Sequence, residues 1–364
     1  MGCGDKESRA PTYFISKIFG DRIGCAAFVL PYTKPDFLGR IVFGNFKDMY
    51  QIVLFYKYTD IEDPQALMNS QRQLCVGLGL KGRLIIAKEG VNGTFEGTTE
   101  NISKYVSALK TDPRFADVHI KLSDGNGDAF PRLSIKVRNE IVSSHLGEKD
   151  IDPRKTTGKY LQAEELHQWI KDGKEFYIVD MRNDYEFDVG RFAGSILPPL
   201  KNFRDLSGIL PSIASLKNKT VVTVCTGGVR CEKASGFLVD NGFADVYQLY
   251  GGIVTYMEKF PNEAFKGALY VFDGRVTMGF NLNDPKHEVV GNCWHCQKPA
   301  ERYLDCAYIH CHGKRHFLCC DECLKTHEGF CSAKCKMALT VRNFYDKIHS
   351  IIKKLHVQKN HSTN

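Results

Sequence analysis

A cysteine stands where a β-branched run, a glycine pair and a helical pattern meet. Thr220 to Val224 is apolar enough for a buried parallel strand, and Cys225 follows at its carboxyl end. Thr226, Gly227, Gly228 and Val229 come next, then Arg230, Cys231 and Glu232; from Glu232 to Asp240, Ala234, Phe237 and Leu238 recur at helical spacing until Asn241-Gly242 stops the pattern. The paired glycines let the backbone curl with its N–H groups inward, so residues 226 to 229 form an anion cradle at the positive end of the helix, and Arg230 adds a full charge. Such a field favours thiolate over thiol, lowering a cysteine pKa from about 8.5 to roughly 3.5–7.5. The chemistry expected is nucleophilic or redox: Cys225 attacks or is oxidised while Arg230 and the loop amides stabilise the developing anion. Cys231 is either a resolving thiol or a first-turn helix residue with no role, and the sequence leaves both open. A structural cysteine closing a core strand would not need the glycine pair and the arginine beside it.

A second chemistry-bearing pattern lies downstream. Of 14 cysteines, nine fall between Cys293 and Cys335, as Cys293-x2-Cys296, Cys306-x4-Cys311, Cys319-Cys320-x2-Cys323 and Cys331-x3-Cys335. Short-range thiolate pairs are what tetrahedral zinc takes from two chain segments, so the expectation is two structural zinc ions per chain. The ligands would be Cys293, Cys296, Cys306, Cys311, Cys320, Cys323, Cys331 and Cys335, with Cys319 and Cys320 competing for one place and His295, His310, His312, His316 and His327 near enough to substitute. The alternative, a disulfide module, conflicts with the reactive thiol and with the lack of a secretory pattern, which together point to a reducing, cytoplasmic setting.

These groups need elements to hold them. At 364 residues, 43% hydrophobic and 25% charged, the chain should form two or three globular domains with sizeable cores. No stretch is long and apolar enough to span a membrane, and Lys6 stands where the myristoylation motif of a Met-Gly-Cys start needs Ser or Thr. Residues 1–48 lack periodicity and read as a loose extension or an over-long start. A strand at 50–58, helix at 63–79, strand at 82–87, turn at 89–93, strand at 93–96, helix at 99–110 and strands near 117–122 and 132–138 then predict a ferredoxin-like α+β domain over 49–146. Lys136 and Arg138 share a strand face there, as a solvated pair or as contacts to an RNA backbone. A polar linker at 147–158 leads into a parallel-sheet domain over 159–262. The stretch 263–336 reads as one more strand, Phe265 to Arg275, plus the cysteine-rich module, and 337–364 as a basic tail. From Lys286 onward 13 Lys and Arg face 7 Asp and Glu, so +6 of the chain's +7 lies there, interleaved with Trp294, Tyr303, Tyr308 and Phe317 in a manner that suits nucleic acid.

Four residues separate Cys225 from Arg230, one fewer than in the His-Cys-x5-Arg loop of tyrosine phosphatases, and the loop resembles the tighter rhodanese cradle for a sulfur-sized group. Tyr177-Ile-Val-Asp180-Met-Arg182 resembles the rhodanese strand ending in Asp-x-Arg, with Asp180 and Arg182 fixing the loop. Tyr185-Glu186 through Gly194-Ser-Ile and the turn at Gly251-Gly252 resemble two further rhodanese segments, with Arg191 and Tyr256 departing from the usual His and Trp. With Glu89-Gly-Val-Asn92 upstream and the cysteine-rich module downstream, the string Cys225-Thr-Gly-Gly-Val-Arg-Cys-Glu232-Lys233 is similar to that of the bacterial tRNA uridine hydroxylase family, over Met49 to about Cys335. That resemblance implies oxygen-dependent hydroxylation at C5 of the wobble uridine, with tRNA recognised at its anticodon arm, molecular oxygen as co-substrate and Cys225 essential. No dinucleotide-binding glycine fingerprint, haem motif or two-His-one-carboxylate set appears, so a redox cofactor and the oligomeric state are not assigned. The residues alone also allow a persulfide-forming sulfurtransferase or a non-catalytic zinc-dependent RNA-binding protein.

Overall fold

The computed structural model describes residues 49–361; the extension at 1–48 and the last residues, 362–364, lie outside the described residues. The first sheet is built from β1 (Tyr50–Tyr58), β2 (Lys81–Ala87), β3 (Gly90–Thr98), β4 (Lys121–Gly125) and β5 (Leu133–Val137), with α1 (Pro64–Gly77) and α2 (Thr99–Lys110) as crossovers. Its order is β4-β1-β3-β2-β5, antiparallel except for the β2–β5 pair. The first four strands give the ferredoxin-like arrangement, and β5 extends it at the β2 edge. Local signals set the helices: the Asp63 carboxylate accepts from the amides of Gln65 and Ala66 at 2.9 Å with Pro64 at the first helical position, and the Thr98 hydroxyl caps α2.

β1 is apolar on both faces, and both are covered. Val53 and Phe55 pack with Leu84, Ile86, Phe95 and Tyr105 under the helices. Ile52, Leu54 and Tyr56 point the other way, toward the second domain. An antiparallel strand with a solvated face would alternate with polar residues; the unbroken run Ile52 to Tyr56 reflects a sheet with two partners.

The second domain has a four-stranded, all-parallel sheet of order β6-β10-β9-β7, from β6 (Lys159–Leu161), β7 (Tyr177–Asp180), β9 (Thr220–Val224) and β10 (Asp245–Leu249). Helices α3 (Ala163–Lys171) and α7 (Gly252–Lys259) cover one face, and α5 (Leu210–Ile213) with α6 (Val229–Asp240) the other. Short α4 (Asp184–Val189) leads into β8 (Gly190–Phe192), which pairs with β11 (Phe265–Gly267). The residues read as a polar linker lie along α6: the Gly158 amide donates to the Ser235 hydroxyl at 2.8 Å, and Ile151 is buried.

The stretch Phe265 to Arg275 is not one strand. Gly267 sits at φ 81°, which interrupts the extended run, so β11 ends there, β12 (Leu269–Tyr270) pairs with β13 (Thr277–Met278), and Val271 to Arg275 turns across the domain junction. The cysteine-rich module contains the hairpin β14 (Tyr303–Asp305) and β15 (His316–Leu318), then α8 (Asp321–His327) and α9 (Ala333–His361). The boundary drawn at 336/337 falls inside α9, a helix of 29 residues. Among the described residues no helix is long and apolar enough to cross a membrane.

Candidate active site

Cys225 ends β9 in the middle of the parallel sheet, and its loop turns directly into α6. That helix begins at Val229, earlier than the apolar spacing indicated, because Gly228 at φ 100° serves as its N-cap; Arg230 and Cys231 therefore occupy the first turn. The Gly228 amide donates to the Cys225 sulfur at 3.2 Å. Burial alone would raise the Cys225 thiol, but the Cys231 thiol, the Arg230 charge and the amides of Cys231 and Arg230 outweigh it and lower the pKa to about 6. Burial and the neighbouring Cys225 push Cys231 the opposite way. The sulfur that ionises is Cys225.

Arg230 is not a free cation. Its guanidinium forks onto Glu186 of α4, at 2.6 and 2.8 Å, and also donates to the Thr226 hydroxyl at 3.2 Å; that hydroxyl donates to Glu186 at 3.0 Å. Glu186 is fully buried. Burial raises its carboxyl, and the Arg230 charge overrides this and holds it below its ordinary value. The planar fork thus fixes the loop's second residue to α4 while its charge still reaches the thiolate. Asp180 and Arg182 form a fully buried pair at 2.6 Å; the Arg182 guanidinium also donates to the carbonyls of Glu186, at 3.1 Å, and Gly190, at 2.7 Å. Neither bonds to Cys225. They hold the α4 segment that holds Arg230.

The first domain closes over this loop. The Tyr56 hydroxyl donates to Glu232 at 2.9 Å and the Tyr58 hydroxyl to the Val229 carbonyl at 3.3 Å. A Cβ on Gly228, at φ 100°, would lie 2.8 Å from the Tyr56 oxygen, so glycine is required there, and one on Gly227 would push the end of the Leu54 side chain, 2.9 Å away. Glu232 also accepts from Tyr160 at 2.9 Å and Gln248 at 3.1 Å. Beside it, the fully buried Lys233 pairs with Glu89 and Glu140 of the first domain and Asp150 of the connecting segment, at 2.9, 3.3 and 2.6 Å. Glu232 and Lys233, adjacent on α6, tie the domains together through opposite charges.

Between the first sheet and the loop lies a cavity of about 290 Å³. Thr226, Gly227 and Arg230 form its floor, Leu54, Arg83 and Lys121 its roof, and Phe272 a wall; Cys225 sits beneath the floor, fully buried. Lys121 is 5% exposed, and its Nζ has no hydrogen-bond partner among the described residues, lying 4.9 Å above the Tyr56 ring. Burial lowers its ammonium pKa to about 8 against the upward pull of Cys225 and Glu232. The sequence reading passed over Lys121, Glu186 and Phe272. Glu186 was legible only as part of a motif, and no sequence signal set Lys121 apart; the register of β4 on β1 gives it its place.

The cysteines gather as two groups, Cys293, Cys296, Cys320 and Cys323, and Cys306, Cys311, Cys331 and Cys335, with the sulfurs of each within 4.8 Å of one another. Measured separations such as Cys296–Cys320 at 3.6 Å and Cys311–Cys331 at 3.4 Å approach the ~3.8 Å edge of a tetrahedron with 2.3 Å metal–sulfur bonds. Both groups can therefore hold a metal ion. Cys319 falls outside them, and so does every described histidine; His295 stacks on His327, and His316 bonds to Asp305. Lys136 and Arg138 are exposed, along a groove on the first domain that also carries Arg132 and shares Arg83, Ile85, Phe272 and Asp273 with the cavity above the Cys225 loop.

Comparison with known proteins agrees with this architecture. Family models match residues 50–141 as a UPF0176 acylphosphatase like domain, 162–259 as a rhodanese-like domain and 266–336 as a rhodanase C-terminal segment. The tRNA uridine(34) hydroxylase of Bacillus cytotoxicus is 42% identical over 308 residues, covering 84% of this chain and 93% of that protein. The proteins of the same name from Enterococcus faecalis and Staphylococcus aureus are each 41% identical over 305 residues, covering 83% of this chain and 94% and 93% of theirs. A relationship of that depth, across the first sheet, the Cys225 loop and the cysteine-rich module together, makes the chain a member of the tRNA uridine(34) hydroxylase family.

Proposed function

We propose that this chain hydroxylates the wobble uridine of tRNA at C5, with Cys225 as the reactive thiolate. The observation that carries this reading is the pairing of a rhodanese cradle with a domain that shuts it: Leu54 and Tyr56 press on Gly227 and Gly228, and the cavity above the thiolate has room for a base. A sulfurtransferase needs its cysteine open to a small sulfur donor; here Cys225 is fully buried beneath that cavity. The substrate is a tRNA held at its anticodon arm, so that an unstacked base 34 enters the chamber and the loop shifts to bring Cys225 to it. Molecular oxygen is the co-substrate: one of its atoms goes to C5 and the other leaves as water, with a pair of electrons drawn from a reductant. Zinc in the two thiolate groups builds the tail rather than performing the chemistry, since four sulfurs leave no open coordination position. A tRNA substrate and a set of free cysteines support a cytoplasmic setting for this work.

The test is nucleoside analysis of tRNA from a strain lacking the gene. Nucleosides derived from 5-hydroxyuridine should disappear, return with the wild-type gene and stay absent with Cys225→Ser. Loss of a thiolated nucleoside instead would select the sulfurtransferase, and no change would select an RNA-binding protein without this activity.

A further inference from the structure

Four buried side-chain polar atoms among the described residues have no hydrogen-bond partner: Nζ of Lys121, Oδ1 of Asn183, and Nε2 of His295 and His316. Lys121 is the lysine of that set, and it alone borders the cavity above the Cys225 loop. An ammonium taken out of water without an acceptor destabilises the fold, and such a group calls for a functional reason.

Sheet register fixes where it points. Lys121 of β4 pairs with Leu54 of β1, Leu54 with Thr94 of β3, and Thr94 with Arg83 of β2, so one row across four strands roofs the cavity with a cation at each end. Across the cavity, Phe272 is 44% exposed and has the guanidinium groups of Arg83 and Arg230 within 5.9 and 5.8 Å of its ring. An accessible cluster of one ring and two guanidinium groups is the kind of surface against which an unstacked base lies.

We propose that the cavity takes one uracil base packed against the cluster of Phe272, Arg83 and Arg230, with the Lys121 ammonium donating to its 4-oxo group. This rests on the wobble-uridine reading and deepens it, because it makes the first domain the part that tells uracil from cytosine. An ammonium only donates. Uracil presents an oxygen at C4, which supplies the acceptor Lys121 lacks, whereas cytosine presents an amino group, and donor would face donor at a buried ammonium. Burial that keeps the Lys121 pKa near 8 leaves the ammonium in place at neutral pH.

The experiment uses full-length Lys121→Met and Lys121→Arg with tRNA carrying U34 or C34, as substrate and as competing ligand, over a salt series. Lys121→Met should lower kcat/KM on U34 tRNA by about 10²-fold or more, the loss expected when a site built around one polar contact forfeits it. It should bring U34 and C34 tRNA close to equal affinity and leave the salt slope unchanged, with a melting temperature at or above wild type because an unpaired buried charge has gone. Lys121→Arg, which still donates, should keep the preference for U34. An unchanged rate and preference in Lys121→Met would overturn the proposal. So would equal weakening of both tRNAs with a salt slope smaller by about 0.7–0.9, the mark of a phosphate contact. Wild-type protein that forms no 5-hydroxyuridine would refute the hydroxylase reading and this inference with it, whereas an active wild type beside an unaffected variant refutes Lys121 alone.

Discussion

Replacing Lys233 with methionine isolates the charge that joins the first domain to the active-site helix. The side chain is fully buried, with Nζ 2.6 Å from Asp150, 2.9 Å from Glu89 and 3.3 Å from Glu140. Methionine keeps most of the length and volume, so packing changes little and the loss reads the electrostatics. Removing one partner of a buried ion pair costs about 3–5 kcal/mol. The three carboxylates retain 19–30% exposure and can recruit water, which puts the expected cost at the lower end, about 3 kcal/mol at neutral pH. At roughly 2–4 °C per kcal/mol for a unit of this size, the melting temperature should fall by about 6–12 °C. The sign with pH follows from the shifts. Burial pulls the Lys233 ammonium down, but the hydrogen bonds it donates to Asp150 and Glu89 raise it overall, so its share of stability is complete below the ordinary lysine value and is lost only as alkali passes the raised one. Burial raises Glu140, but hydrogen bonds from Ser144 and the Lys233 charge lower it overall, so its share is present at neutral pH and is lost in acid. Burial dominates at Glu89 and raises its carboxyl, so that partner is lost first in acid and Glu140 later; wild type and variant should therefore differ most between about pH 6 and 10 and draw together as the pH falls through both carboxylates. Urea unfolding at pH 7.5 and pH 4 reads this directly. A variant within 1 kcal/mol of wild type at pH 7.5, taken as about the error of such extrapolations, or a gap that does not narrow in acid, would refute the reasoning.

Three further outcomes are expected. Cys225→Ser should abolish hydroxylation without changing the melting curve, and alkylation of wild-type Cys225 should fall as pH drops through about 6, because only the thiolate reacts; Arg230→Met should move that midpoint upward, and an unmoved midpoint would remove the arginine from the cradle. Elemental analysis should find about two zinc ions per chain, and a chelator should unfold the cysteine-rich module before the rhodanese-like domain; metal content near zero would contradict the thiolate assignment. Ending the chain after Thr340 removes Arg342, Lys347, Lys353, Lys354 and Lys359 while sparing Cys335, and should weaken tRNA binding with a shallower salt slope; affinity equal to the full chain across the series would show that the basic tail does not touch RNA.

Much of this was legible because it is local. The strand, cysteine, glycine pair and helix at 220–240 are contiguous, and so are the Cys-x2-Cys and Cys-x3-Cys spacings, so their geometry is written in neighbouring residues. What escaped is what the fold brings together from a distance. Glu186 meets Arg230 across 44 positions, and Tyr56 meets Glu232 across 176. Lys121 looked like any strand lysine until register set it opposite Leu54 over the loop. The turn within Phe265 to Arg275 was hidden because apolar spacing does not reveal a left-handed glycine at 267, and with it went the placement of Phe272. One clue was in plain view: Ile52 to Tyr56 has no polar face, which an antiparallel sheet can hold only when something covers both sides.

Cys335 belongs to two structures at once, the second sulfur tetrahedron and the opening turn of α9. At 1.5 Å per residue, 29 residues make a rod about 43 Å long, so a tilt of ~10° at its root swings the far end by ~7 Å. A metal ion gripping that root is then a bearing: it sets the heading of a boom that carries the exposed Arg342, Phe344, Tyr345 and Lys347. Stripping the metal would take away that aim.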